Sequence, residues 1–427
     1  MRSRHLRTVA LFTLSWIAAG VAQSPRPRQS PLDCLNAVRE RAAARQKALT
    51  PFTAEGVRQI LDERAAGAKA CAATFDVATV AEADLVALID LAAEAGEPDL
   101  ADAAVRRAFA STTLGEDARA WVLVQAIRTG LRTPKSAARN ARLEGFVDGL
   151  DRMSDAVLAQ KLGAHQSMNA YYRGDDIDDG IIRHSSWIIE RAGAFTPAQR
   201  TQYGASVLTA YVNLAETWAG HGRTDAALAL LERAKIDWAE VPRVAERIDP
   251  TLDRYRLVGT PAPAVVGSRW LNVADGTRRL EMTGAVTLLE FTAHWCGPCK
   301  ESYPGVKRLL AKYGPRGFRV VFATELYGYF GTERNLPADA ELERDRDYFR
   351  AEGLAVPIAV DERPAPDLAD GRPVYVPSAN DAAYRVGAIP QIHLIDRKGV
   401  IRLIMVGYDE ANEPRLAALI EQLLKES

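Results

Sequence analysis

Residues 286–304 read VTLLEFTAHWCGPCKESYP, and the fold turns on this stretch. Val286 to Ala293 (VTLLEFTA) is short and rich in apolar and β-forming residues, and reads as a buried strand. A helix is predicted from Cys296 to Tyr313. Cys296 and Cys299 therefore stand one turn apart at a helix start. Unpaired N–H groups and the positive end of the helix dipole favour a thiolate there. Two thiols at this spacing can close a disulfide. Cys296, the outer of the two, is the expected nucleophile, and Cys299, one turn deeper, the expected resolving thiol. Pro298 fixes φ at the helix start, where its missing N–H is not needed.

Working outward, Phe318 to Thr324 (FRVVFAT) and Val356 to Val360 (VPIAV) read as further buried strands. Leu342 to Glu352 reads as a charged helix. Gln391 to Asp396 and Ile401 to Val406 read as a hairpin turning at Asp396-Arg397-Lys398-Gly399, and Pro414 to Lys425 as a closing amphipathic helix. Strands alternating with helices and ending in a hairpin predict an α/β domain with a mixed sheet.

The WCGPCK motif (Trp295 to Lys300), set between strand and helix, resembles thioredoxin. The resemblance extends to Glu290, at the place of the family's buried acid, and to Pro304, at its helix-kinking proline. It also includes Ile389-Pro390, at its cis-proline. It implies that Glu290 takes a proton from Cys299. It further implies that Trp295, Gly297, Pro298, Ile389 and Pro390 border the substrate, with the Ile389 backbone pairing to an extended chain. Trp295 reads as a packing platform beside the disulfide. Gln391 departs from the family's common Thr, which bears on substrate preference. The opening Gly259-Thr260-Pro261-Ala262-Pro263 and the turn Ile395-Asp396…Gly399 are similar to the exported, TlpA-like branch. So is an insertion, Glu325 to Tyr384, whose segments Tyr327-Gly328-Tyr329-Phe330-Gly331 and Arg363 to Pro377 have no family counterpart. The resemblance covers Val258 to Ser427.

Residues 32–247 read almost wholly as helix. Leu85, Leu88, Ile89, Leu91 and Ala92 form one apolar face, and Ala101, Ala104, Val105 and Ala108 another, with Gly96 to Asp99 as the turn. Ala210 to Gly222 followed by Asp225 to Ala234 resembles a tetratricopeptide repeat. The region is expected to be all-α, either a TPR-like, irregular helical array or a non-repeat bundle. The boundary is placed at 248–264, where Pro250, Pro261 and Pro263 end helices. Four carboxylates, Asp175, Asp176, Asp178 and Asp179, lack the spacing of a calcium loop and read as a helix cap or loop.

The chain has 427 residues with 54 Lys+Arg against 55 Asp+Glu, so nothing points to nucleic acid as a partner. Arg2, Arg4 and Arg7, the apolar stretch Val9 to Val21, and Gly20 with Ala22 predict a signal peptide over 1–22. A disordered leader over 23–31 follows. The chain is therefore expected to be exported, to a periplasmic or other extracytoplasmic place; the alternative is anchoring by an uncleaved signal. Cys34 and Cys71 fit an oxidising compartment and are expected to form a structural disulfide, with two buried free thiols as the alternative.

A CxxC can also be half of a zinc site, but Cys34, Cys71 and the six His residues show no second ligand pair, so no metal is assigned. No cofactor is called for. His294 reads as an exposed loop residue that could otherwise assist the thiolate, and His393 as a satisfied sheet histidine. Partners are expected to be protein disulfides, a membrane-side thiol donor, and a peptide or protein ligand of the helical region. The Gly-Pro pair resembles reducing members, which favours a reductase. The alternatives are an oxidant or isomerase of secreted-protein folding, or a partner-binding protein whose redox domain is an effector or sensor.

Overall fold

The computed structural model describes residues 29–49, 54–131, 133–174, 178–363, 367–369, 372–374, 376–408 and 410–426. The expected signal peptide, Asp175, Asp176 and part of the Arg363 to Pro377 segment lie outside them. The helices are α1 (Pro31–Ala48), α2 (Ala54–Ala72), α3 (Leu85–Ala95), α4 (Pro98–Ala110), α5 (Glu116–Gly130) and α6 (Ala137–Asp151). There follow α7 (Leu158–Gly174), α8 (Asp178–Ala192), α9 (Pro197–Gly220), α10 (Thr224–Asp237) and α11 (Val244–Tyr255). Strands β1 (Val265–Val266), β2 (Arg269–Leu271), β3 (Arg279–Leu280) and β4 (Val286–Phe291) lead to α12 (Gly297–Tyr313). Then come β5 (Phe318–Leu326), β6 (Tyr329–Phe330), β7 (Glu333–Arg334), α13 (Ala338–Ala351), β8 (Ile358–Glu362), β9 (Asp367–Ala369) and β10 (Arg372–Val374). Last are α14 (Ala379–Tyr384), β11 (Gln391–Ile395), β12 (Ile401–Val406) and α15 (Glu413–Lys425).

The described residues form two compact units that divide between Thr129 and Gly130. In the first, Ser30 and Asp33 make a capping box that starts α1. Cys34, Leu35 and Val38 of α1 meet Ala68 and Ala72 of α2 and Leu91 and Ala95 of α3 in one apolar cluster. Gly96, at φ 70°, ends α3 in the left-handed region and lets α4 follow at once. Ala101, Ala104, Val105 and Ala108 form the buried face of α4. Cys34 and Cys71 face one another with Cα atoms 6.3 Å apart, within the range of a bonded pair.

In the second unit a six-stranded sheet has the order β12-β11-β4-β5-β8-β2. β4, β5 and β8 run parallel; β11 is antiparallel to β4 and β12, and β2 to β8. Edge strand β2 had no mark in the sequence. Alternation along each strand sends side chains to two faces. Leu288 of β4, Val320 and Phe322 of β5, Ile358 of β8 and Leu394 of β11 pack with Tyr303 and Leu309 of α12, Phe349 of α13 and Ile420 of α15.

The opposite face sets the limits of the unit. Leu289 and Phe291 of β4, Val321 and Ala323 of β5, and Ile404 of β12 share one core with Val207, Leu208, Tyr211 and Ala215 of α9 and Leu252 and Tyr255 of α11. Helices α9 to α11 thus cover a sheet face. The compact unit accordingly does not divide at 248–264, where the prolines placed the boundary. Pro250 lies inside α11. It removes one helical hydrogen bond, yet Ile248, Leu252 and Tyr255, spaced four and three residues apart, are all fully buried. Burial of that stripe outweighs the proline.

Candidate active site

Cys296 caps α12: its Sγ accepts the N–H of Cys299 at 3.2 Å, and the two sulfurs are bonded. Both are buried, with Cys296 3% and Cys299 0% exposed, so the outer cysteine is less open than its position suggests. Gly297, Pro298 and Trp295 are exposed beside them. Trp295 meets Tyr327 edge-on, with ring centroids 5.4 Å apart. Pro304 lies inside α12.

Opposite the cysteines, the Ile389–Pro390 peptide bond is cis. The Ile389 carbonyl oxygen is 3.8 Å from Cys296 Sγ. The Pro390 carbonyl accepts the Gly407 N–H at 2.8 Å. Among the described residues, by contrast, neither the N–H nor the C=O of Ile389 is taken by another main-chain group. An extended peptide can pair there. Gln391 does not reach this edge. Its buried amide donates to the Tyr384 carbonyl at 3.1 Å and accepts the Gly387 N–H at 3.3 Å, which fixes the turn leading to the proline. Its Nε2 also lies 2.9 Å from His393 Nε2. His393 is held against Phe291 and Tyr384, and burial pushes its pKa down to about 3, so it is neutral.

Glu290 is fully buried on β4, and burial raises its pKa to about 8; the Ser302 hydroxyl lowers it only in part. Ser302 Oγ lies 2.6 Å from Glu290 Oε1 and 2.7 Å from the Cys299 carbonyl oxygen. A hydroxyl has one proton and a carbonyl cannot donate. The hydroxyl therefore donates to Glu290 Oε1 when the acid is ionised, and to the Cys299 carbonyl when Glu290 is protonated and donates to the hydroxyl. The acid is thus joined through one hydroxyl to the turn carrying the inner cysteine.

His294 is not an exposed loop residue. It is 6% exposed, enclosed by Phe330, Tyr327 and Tyr329 of the insertion and by Asp345 of α13, 3.2 Å from its Nδ1.

A cleft of about 180 Å³ opens beside the cis-proline. Pro298, Ile389, Pro390 and Gly407 line it on one side, and Arg173, Asp178, Glu216, Thr217 and His221 from α7, α8 and the end of α9, with Arg415 of α15, are among its other lining residues. Arg173 and Arg254 both pair with Glu216, and His221 pairs with Asp178. These polar residues carried no motif, because they come together only when α7 to α9 fold against the sheet. Asp178 and Asp179 occupy the first turn of α8.

Sheet order, the cysteine pair opening α12 and the cis bond facing it define a thioredoxin-like domain. No family model matches the chain. Over 87 residues the chain is 31% identical to Thioredoxin H7 of Arabidopsis thaliana, 20% of this chain and 65% of that protein. The chain therefore spans just under two thirds of the length of the curated relative it matches. Among solved structures it is similar to a putative thiol:disulfide interchange protein DsbE from Chlorobium tepidum (26% identity, 39% of this chain and 97% of that one, TM-score 0.28). A putative protein disulfide isomerase from Bacteroides thetaiotaomicron gives 24%, 40%, 91% and 0.29 in the same order. A thiol-disulfide isomerase from Corynebacterium glutamicum gives 22%, 39%, 98% and 0.29.

Proposed function

We propose that this chain is a thiol–disulfide oxidoreductase that reduces protein disulfides outside the cytoplasm. The observation that carries the reading is the Cys296–Cys299 pair at the start of α12, facing an Ile389 backbone with no main-chain partner. In the reduced chain, the Cys296 thiolate attacks one sulfur of a substrate disulfide. A mixed disulfide forms and the other substrate sulfur leaves as a thiolate. Cys299 then gives up its proton, towards ionised Glu290, and attacks Cys296 Sγ. The second substrate sulfur leaves, and the Cys296–Cys299 bond is restored. Two electrons pass to the substrate. A dithiol donor on the membrane side returns them.

Trp295, Gly297, Pro298 and Ile389 border the substrate, and Pro390 sets the backbone that receives it. The charged wall of the cleft selects among substrates, which gives the helical region a part in recognition. Export rests on the basic and apolar N-terminal sequence; among the described residues no helix is long and apolar enough to cross a membrane.

Direction is tested by equilibrating the Cys296/Cys299 couple with defined thiol buffers and counting its free thiols by mass spectrometry. A potential near thioredoxin's ~−270 mV supports a reductase. One near ~−120 mV makes the protein an oxidant of folding chains.

A further inference from the structure

The insertion Tyr327 to Gly331 and the helix after it surround a cluster that the redox chemistry does not use. Glu341 and Asp345 lie four residues apart on α13, so their carboxylates share one face. His294, on the loop between β4 and α12, meets that face. All three are buried: His294 is 6%, Glu341 0% and Asp345 1% exposed. One ligand atom from each lies within 4.8 Å of the others.

Their hydrogen bonding is incomplete. Both ring nitrogens of His294 and both carboxylate oxygens of Asp345 lack a hydrogen-bond partner. His294 Nδ1 and Asp345 Oδ1 are 3.2 Å apart but do not have hydrogen-bond geometry. Two ligands of one tetrahedral ion, each about 2.0–2.1 Å from it, lie about 3.3 Å apart. Glu341 accepts the N–H groups of Tyr327 at 2.6 Å and Gly328 at 2.7 Å, one on each oxygen. Each oxygen keeps a second lone pair. Among the described residues neither carboxylate pairs with a Lys or Arg. An imidazolium would neutralise one of two buried carboxylates; a divalent cation neutralises both.

We propose that His294, Glu341 and Asp345 bind one divalent first-row transition cation. One imidazole and two carboxylates suit zinc or its neighbours better than calcium or magnesium, which take oxygen ligands alone. The ion draws the third ligand inward from its present spacing, and water completes the shell. Bound there, it ties the loop entering Cys296 to α13 and to the aromatic cover of Tyr327, Tyr329 and Phe330.

The test uses the full chain with all four cysteines oxidised, verified by the absence of free thiols, so that no thiolate competes, stripped with chelator and titrated with ZnCl2 by calorimetry. Saturable binding of one zinc per chain is expected, weakened at least tenfold in both His294→Ala and Asp345→Asn. Absence of saturable binding in the wild type overturns the proposal. So does stoichiometric zinc of unchanged affinity in either variant. X-ray absorption of the zinc-loaded wild type needs no variant to fold: a shell of oxygen with one imidazole nitrogen supports the site, and a shell containing sulfur or only oxygen overturns it.

Discussion

Ser302 Oγ bridges Glu290 Oε1, at 2.6 Å, and the carbonyl oxygen of Cys299, at 2.7 Å. This places a buried acid one hydroxyl away from the turn that carries the resolving cysteine, and a pH dependence follows. With its pKa raised to about 8 by burial, Glu290 is mostly neutral at pH 7. In the proposed reaction, ionisation supplies the base for Cys299. The rate of mixed-disulfide resolution is expected to rise with an inflection near pH 8 and to fall roughly 100-fold in Glu290→Gln, with the inflection lost. Stopped-flow single turnover reads this; an unchanged profile in the variant contradicts it.

The same group affects stability. Its folded pKa lies above the ordinary carboxylate value of 4.5, so its contribution is fully present below about pH 4.5 and is lost as pH rises through 8. The loss is on the order of 5 kcal/mol. Urea melts from pH 5 to 9 should show this decline in the wild type and a flatter profile in Glu290→Gln. Parallel profiles would mean that Glu290 is not held neutral.

Residues 258–427 should not fold well alone. Removing α9 to α11 strips Leu208, Tyr211, Leu252 and Tyr255 from the face formed by Leu289, Phe291, Val321 and Ile404. Each large buried side chain is worth about 1.5–3 kcal/mol, against a domain stability of about 5–15 kcal/mol. A 258–427 fragment is expected to bind a hydrophobic dye and to melt without cooperativity, whereas 130–427 melts as one unit. A cooperative melt of the shorter fragment within a few degrees of the longer one would refute this.

Cys34 and Cys71 enclose 37 residues of sequence separation. A bond across them should stabilise the first unit by about 4 kcal/mol in the chain-entropy model. Replacing both with serine is expected to lower the melting temperature of that unit by at least ten degrees. The same loss should follow reductant in the wild type. If neither changes the melt, the two are buried thiols.

The strand-CxxC-helix core was legible because its signals are local. A short run of apolar and β-forming residues makes β4, Pro298 starts α12, and Asp396 with Gly399 turns the final hairpin: Asp396 Oδ1 accepts the N–H groups of Lys398 and Val400, and Gly399 sits at φ 83°. Cover and partner choice were not legible. The apolar stripe of α11 announces that Ile248, Leu252 and Tyr255 are buried, but not that they are buried against a sheet. His294 is enclosed by residues that follow it by 33 to 51 positions, so its neighbours along the chain gave no hint of burial. Gln391 stands where the resemblance has a Thr, and its inward hydrogen bonds appear only once the turn at 384–387 is formed.

The central claim is that Cys296 attacks and Cys299 resolves. The most direct measurement is trapping: Cys299→Ser and Cys296→Ser are each reduced, mixed with a disulfide-bonded protein such as insulin, quenched with acid and read by mass spectrometry. The account predicts a covalent substrate adduct on Cys296 in Cys299→Ser and little or none in Cys296→Ser. Adducts on Cys299 in Cys296→Ser at equal or greater yield, or none in either variant, would contradict it.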